Sequence, residues 1–320
     1  MSVLLVSNSL DVHADAVEQE LSRRSIACLR LDTDRFDTDR ITISFGYESR
    51  ISIKGHSLFL EEIESVLYRR PGILETGVSN AHQRKFAESE LNELLRQIYF
   101  CLGHARWVSD YMALEKARRK LPQLKIAKEC GLAVPLTLAT NSPEAVRRFC
   151  TECNGQVVYK TLHAPVIQPY DDPELWSVPT SLLDMGHMAK IDLIRHTGGI
   201  FQKFIEKAYE LRVTVIGEDV FAAKIDSQKD PVARVDWRDA VARGLIEVTA
   251  YTLPEVVANQ CRLILRRYGL LFGAIDLIRT PDGEYVFLEI NCNGQWLWVE
   301  DLTGQALLSS MVSLLTTPKP

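Results

Sequence analysis

No stretch of the 320 residues approaches the ~18 to 20 consecutive apolar side chains of a membrane-spanning helix, so no membrane partner is expected. The first ten residues, Met1 to Leu10, have no basic region and run into polar Asp11 to Glu20. They do not read as a signal peptide, and a cytoplasmic location is expected. Positive charge is not in excess either: 37 Lys and Arg against 42 Asp and Glu give a net charge of −5, which offers no bulk field to a nucleic-acid backbone. No nucleic-acid partner is expected, and an anionic ligand must meet local cations. Seven cysteines, an odd number scattered from Cys28 to Cys292, suit reduced thiols better than a disulfide framework. Cys150-x-x-Cys153 has no second pair or histidine at zinc-finger spacing, and His163 and His187 have no visible nucleophile partner. Internal repeats and low-complexity tracts are missing. What remains, 46% apolar and 25% charged residues, is globular and long enough for two or three domains.

Val3 to Val6, Asp11 to Arg24 and Ile26 to Leu31 read as strand, helix, strand; Ile41 to Phe45 and Ile51 to Ile53 alternate as a strand pair. Val66 to Arg70 is a further strand, followed by a long helical region from about Asn80 to Gly131. A mixed α/β module with a mostly parallel sheet is implied, ending near Lys116. Ser142, Pro143 and Glu144 start a helix, Val157 to Lys160 is a strand, and Pro165 to Thr180, with four of the thirteen prolines, reads as a loop or irregular hairpin. The last third contains Ile200 to Ile205, then Leu211 to Ile216 and Val220 to Ile225 about Gly217. A helix from about Pro254 to Tyr268, the pair Phe272 to Arg279 and Tyr285 to Asn291, and a helix over Leu302 to Leu315 complete it.

The last strand pair carries the sharpest signal. Pro281, Asp282 and Gly283 reverse the chain, and pairing Thr280 with Tyr285 puts Asp276 opposite Glu289, with Asn291 on the same face. Opposed carboxylates destabilise a sheet unless neutralised, and an all-oxygen set suits Mg²⁺ bridging nucleotide phosphates. A surface hairpin whose acids pair with lysines is the competing reading. Lys160 ends an apolar strand and Lys120 precedes the helix through Leu124. Either suits phosphate oxygens, and either also reads as a solvated lysine. Gln202 to Ile205 would offer a purine edge, or form an ordinary buried strand.

The order of these features, Lys120, Lys160, Gln202-x-Phe204-Ile205, Glu210-Leu211-Arg212, and Asp276 with Glu289-Ile290-Asn291, resembles an ATP-grasp ligase over most of the chain. Tyr68-Arg69-Arg70-Pro71, Lys120-Leu121-Pro122-Gln123-Leu124, Val158 to Leu162, Asp226-Ser227-Gln228, Asp236-Trp237-Arg238 and Asn293-Gly294-Gln295-Trp296 narrow the resemblance to the ribosomal-peptide maturases that build graspetides. That resemblance implies a pre-ATP-grasp domain (1–115), a central subdomain (116–199) and a C-terminal subdomain (200–320) with the metal site. It implies ATP held by Lys120, Lys160, the backbone of Gln202, Lys203, Phe204 and Ile205, and Glu210 at the ribose. Mg²⁺ falls to Asp276, Glu289 and Asn291, and catalysis to Arg212 with Lys224. Simple pairing about Gly217 puts Arg212 and Lys224 on opposite faces unless a bulge intervenes. Arg69 and Arg70, whose forks suit substrate carboxylates, either read the substrate or decorate a strand end, and Asp236 and Arg238 are further candidate substrate contacts. The segment Thr161 to Tyr170 lacks the glycine-rich phosphate loop of many ATP-grasp enzymes.

The activity implied is ATP-dependent activation of Glu or Asp side chains in a precursor peptide with a leader and an acidic, hydroxyl-rich core, closing ω-ester or ω-amide rings. A homodimer is compatible with it. A ligase adding free amino acids such as glutamate is the alternative, and a catalytically silent nucleotide-binding or scaffold protein is a third reading.

Overall fold

The computed structural model describes residues 2–317 except 37, 47, 73, 75, 164–165, 168–175 and 232. Most of Pro165 to Thr180, and with it half of Thr161 to Tyr170, the segment that lacks a glycine-rich phosphate loop, lies outside the described residues. The N-terminal strands Ser2–Ser7, Ala27–Asp32, Ile63–Tyr68 and Arg106–Val108 form a parallel sheet in the order second, first, third, fourth. Residues 3 to 6 of its central strand are a continuous apolar run because both faces are covered. The expected helical region from Asn80 to Gly131 is divided: helix Ala81–Cys101 is separated from Tyr111–Ala117 and Lys120–Glu129 by the strand Arg106–Val108. Three residues are too few to display a period, so tertiary pairing alone reveals that strand.

A central antiparallel sheet has the order Ser181–Leu182, Val157–Lys160, Gly199–Lys203, Thr137–Thr140. Its own core joins Val146 and Phe149 of helix Pro143–Glu152 to Val157, Ile191 and Phe201. The helix starts as its letters require, the Ser142 hydroxyl accepting from the Ala145 amide with proline in the first turn. The largest sheet is antiparallel, in the order Val248–Tyr251, Asp219–Ile225, Tyr209–Ile216, Phe272–Arg279, Tyr285–Asn291. On its middle strand Leu211, Val213 and Val215 face the apolar core under helix Glu255–Tyr268. Glu210, Arg212 and Thr214 face the other way, yet all three are buried. A buried polar face is costly unless its groups find partners, so it marks a site.

The modules also meet through charge. Arg69, expected to read substrate carboxylates, is 2% exposed; its Nε donates to Asp11 Oδ2 at 3.2 Å and its Nη1 to the Gly294 carbonyl at 3.1 Å. It is an internal tie, because a guanidinium pulled this far from water needs fixed acceptors. Burial would raise the Asp11 carboxyl, but hydrogen bonds from His13, Arg69 and Ser7 hold it well below the usual carboxylate range. The sign follows: the unfolded chain takes up a proton at Asp11 as pH falls, so this contribution is full above the unfolded pKa and is lost in acid. Asp11→Asn should cost about 3 kcal/mol or more near pH 7 by leaving Arg69 unpaired. Its deficit against wild type should shrink toward about pH 3 in urea unfolding curves; a constant deficit would remove the ionic account.

Candidate active site

The turn between the last two strands closes one residue earlier than the simple count. Thr280 pairs with Glu284 (N to O 3.0 Å, with the Glu284 amide donating to Thr280 Oγ1 at 2.8 Å), and Gly283 supplies the φ of +95° that the turn requires. Arg279 therefore faces Tyr285, and the register holds as far as Leu277 opposite Phe287. There it shifts, and Asp276 faces Glu289. The extra residue, Leu288, is a bulge that reverses parity. Phe287 and Ile290 both enter the apolar core while Glu289 and Asn291 stay on the polar face with Asp276. The expected Asp276–Glu289 pairing is present, reached through two offsets that cancel.

Around this pair the charges interlock. Arg238 Nη2 donates to Asp276 Oδ2 (3.1 Å) and Glu289 Oε1 (2.8 Å), while its Nη1 donates to both oxygens of Asp236. Arg212 Nη1 stands 3.3 Å from Asp276 Oδ1, yet both atoms, and Arg212 Nε, lack a hydrogen-bond partner among the described residues. Its guanidinium lies beside a pair of indoles that touch each other, 5.3 Å from the Trp237 ring and 5.9 Å from that of Trp298, with the two ring centroids 5.3 Å apart. Lys120 Nζ is 3.9 Å from Glu289 Oε2 and donates to the Thr161 carbonyl at 2.9 Å. Burial alone would raise both carboxyls. For Asp276 it prevails over Arg212 and Arg238, whereas Arg238, Lys160 and Lys120 hold Glu289 down at about 2. Burial also draws Lys160 below the ordinary lysine range, against the pull of Glu289.

Two adjoining cavities, about 690 and 680 Å³, share Lys120, His163, Trp237, Arg238, Glu289 and Asn291 as a seam. On one side of it lie Lys160, Thr161, Glu210 and Asp236. On the other lie Arg70, Arg118, Arg212, Gln123, Trp298 and the Asn293–Gln295 loop. In that second cavity five cationic side chains, Arg70, Arg118, Lys120, Arg212 and Arg238, face a single carboxylate wall residue, Glu289. Sequence reasoning missed Arg118, Trp298 and His163; neither periodicity nor spacing places a helix-end arginine or a residue beyond a strand into a distant cleft.

Other expected site residues sit elsewhere. Lys224 pairs in register with Leu211, on the opposite sheet face from Arg212, with no bulge between them. Its Nζ binds Asp226 at 2.8 Å and lies 4.9 Å from the Tyr209 ring, so it is outside the cleft that holds Arg212. Gln202, Lys203, Phe204 and Ile205 are not among the walls of either cavity. The Lys203 and Phe204 amides already donate to the Leu136 and Gln156 carbonyls, both at 2.9 Å, while Gln202 Oε1 is buried with no partner among the described residues. Glu210 lines the cavity, but its carboxylate is held by Lys207 Nζ at 2.9 Å and burial raises its pKa against that lysine.

Two antiparallel sheets that meet over lysines and a carboxylate pair give the class: this is the ATP-grasp fold. Residues 2–115 match the family described as the MvdD pre-ATP grasp domain. Over nearly the whole chain the structure resembles the macrocyclase MdnB of Microcystis aeruginosa MRC, with 30% identity, 98% of this chain and 99% of that one covered, and a TM-score of 0.81. It also resembles a RiPP-associated ATP-grasp ligase of Chryseobacterium gregarium in complex with ADP and a leader and core peptide, with 28% identity, 99% and 98% covered, and a TM-score of 0.89. The chain belongs to the ATP-grasp ligases, in the family of the peptide macrocyclases. A probable alpha-L-glutamate ligase of Chromohalobacter salexigens is 25% identical over 215 residues, and the match spans 66% of that relative's length and 65% of this chain. Among the described residues no helix is long and apolar enough to cross a membrane.

Proposed function

We propose that the protein is an ATP-dependent ligase that activates Glu or Asp side chains of a ribosomal precursor peptide and closes intramolecular ω-ester or ω-amide bonds. The observation that carries this reading is the seam: a cationic cavity suited to acidic side chains joins a lysine-lined cavity suited to a triphosphate, in a chain of net charge −5. In the reaction, a substrate carboxylate oxygen attacks the γ-phosphorus of ATP and ADP leaves. A hydroxyl or amine of the same peptide then attacks the acyl carbon, loses its proton, and expels phosphate. Lys120 and Lys160 would neutralise the polyphosphate, Arg70, Arg118 and Arg238 would draw in the acidic core, and Arg212 would meet the oxygens on which charge grows. The precursor would carry a leader, and the three-part division at 1–115, 116–199 and 200–320 is kept as our proposal. A ribosomal precursor and ATP are both at hand in the cytoplasm, where we place the reaction.

Magnesium fits the carboxylate pair. Asp276 Oδ1 has no hydrogen-bond partner among the described residues, and Asp276 and Glu289 share a guanidinium where a cation is required. Among the described residues no group of three or more His, Cys, Asp or Glu could hold a metal ion. Two carboxylates, the Asn291 amide oxygen and ligand phosphates would have to suffice, which is the habit of Mg²⁺ and not of a closed protein cage. Asn291 Nδ2 faces Asp276 Oδ2 at 3.3 Å, so ligation requires the amide to turn over. When bound, the metal would screen phosphate charge.

Incubating the enzyme with ATP and a cognate peptide should remove one water per ring, seen by mass spectrometry, with phosphate released in step. Mass gained from added amino acids would replace this reading with the glutamate-ligase one. Lys160→Met should weaken ATP binding about ten- to a hundred-fold in calorimetry, the range of one charge-assisted hydrogen bond. An unchanged affinity would take Lys160 out of the nucleotide site.

A further inference from the structure

The proposed chemistry leaves unused a buried polar chain that runs from the N-terminal module to the rim of the cleft. Ser7 Oγ donates to Asp11 Oδ2 at 2.5 Å, and Arg69 bridges Asp11 to the Gly294 carbonyl. His13, 4% exposed, has Nδ1 3.3 Å from Asp11 Oδ1, while its Nε2 accepts from the amides of Trp296 (3.0 Å) and Leu297 (3.2 Å). A ring nitrogen that accepts two N–H groups carries no proton, so the proton is on Nδ1, toward Asp11. Burial, in the same sense, draws the His13 pKa down. Two side chains, Arg69 and His13, are therefore aimed at three backbone atoms of one short segment. From its other side that segment abuts the large sheet: a Cβ on Gly294 would fall 2.6 Å from the Ala274 Cβ.

We propose that His13 and Arg69 are positioning residues for the cleft, fixing the backbone from Gly294 to Leu297 so that Asn291 and Trp298, on either side of it, stand against Asp276 and Arg212. Neither residue lines either cavity. They act through the loop, whose two ends carry the Asn291 contact to Asp276 (3.3 Å) and the Trp298 ring beside Arg212 (5.9 Å). The ring nitrogen satisfies two amides of the loop that an apolar residue in the same space would leave without an acceptor.

The test uses the full chain and two measurements. In His13→Leu the Trp296 and Leu297 amides lose their acceptor, so hydrogen exchange over 294–298 should quicken at least about ten-fold while strands Ser2–Ser7 and Ile63–Tyr68 keep their protection. The turnover number should fall about 10- to 100-fold, the scale set by a misplaced reacting group, with ATP affinity little changed. His13→Gln, whose carbonyl oxygen can accept again, should restore most of both. Arg69→Lys keeps a charge near Asp11 but lacks the fork that also reaches Gly294, so it should loosen the same segment, and it serves if the leucine variant does not fold. The proposal is overturned if exchange at 294–298 is unchanged in these variants, if it rises equally across the N-terminal strands, or if glutamine restores no more than leucine. The turnover arm rests on the ligase reading; the exchange arm does not, so the two failures are told apart.

Discussion

Glu289→Ala should lower peptide-dependent ATP turnover by about 10³-fold or more while the protein stays folded. Glu289 is at the seam of both cavities, opposite Asp276, and within reach of Arg238 and Lys120. Without it the metal set falls to one carboxylate and an amide, and Arg238 keeps Asp276 and Asp236 as partners. Some stability should be lost as well, because a carboxyl held down at about 2 is favoured in the folded state by more than its burial costs, but the fold should persist since Arg238 keeps two carboxylates. The pH dependence separates this account from a general loss of structure. With a pKa held at about 2, Glu289 stays ionised at every pH where the enzyme is folded and active, so no acid limb of the rate profile should trace to it. Glu289→Gln, which keeps the shape and loses the charge, should be nearly as inactive as alanine. A glutamine variant with more than a tenth of wild-type turnover would remove Glu289 from the chemistry.

The large sheet was legible because its letters alternate. Tyr209 to Ile216 places Glu210, Arg212 and Thr214 on one face and Leu211, Val213 and Val215 on the other, and the structure follows that pattern. The Asp276–Glu289 pairing was legible for a weaker reason, since the turn offset and the Leu288 bulge cancel. The bulge had a signal: Phe287 and Ile290 are both core residues and are three apart, which a regular strand does not allow. Lys224 needed only the simple register, which already set it on the other face. Arg69 was misjudged because arginine is rarely buried, and nothing local to Tyr68-Arg69-Arg70 reveals that Asp11 and Gly294 will converge on it. Trp298 and Arg118 share that difficulty: their place in the cleft depends on contacts between distant parts of the chain.

Arg212→Lys should reduce turnover about 10²- to 10³-fold with ATP affinity close to wild type. The split follows from position. Arg212 lines the cationic cavity and not the one with Lys160 and Glu210, so in the proposed reaction it would meet the reacting carboxylate and the transferred phosphoryl group more than the nucleotide body. Its Nε and Nη1 have no hydrogen-bond partner among the described residues, a state that the Asp276 carboxylate 3.3 Å away compensates only in part. Donors held ready in this way, against the paired rings of Trp237 and Trp298, need no reorganisation when oxygens gain charge in the transition state. Lysine keeps the charge but offers a compact ammonium that cannot span two oxygens or lie flat against the paired indoles. The loss should fall on the turnover number rather than on the peptide KM, because the missing interaction forms as the reaction proceeds. A lysine variant that raises the peptide KM and leaves turnover intact would make Arg212 a substrate anchor, and phosphoryl transfer would then have to rely on Arg238 and the two lysines at the seam.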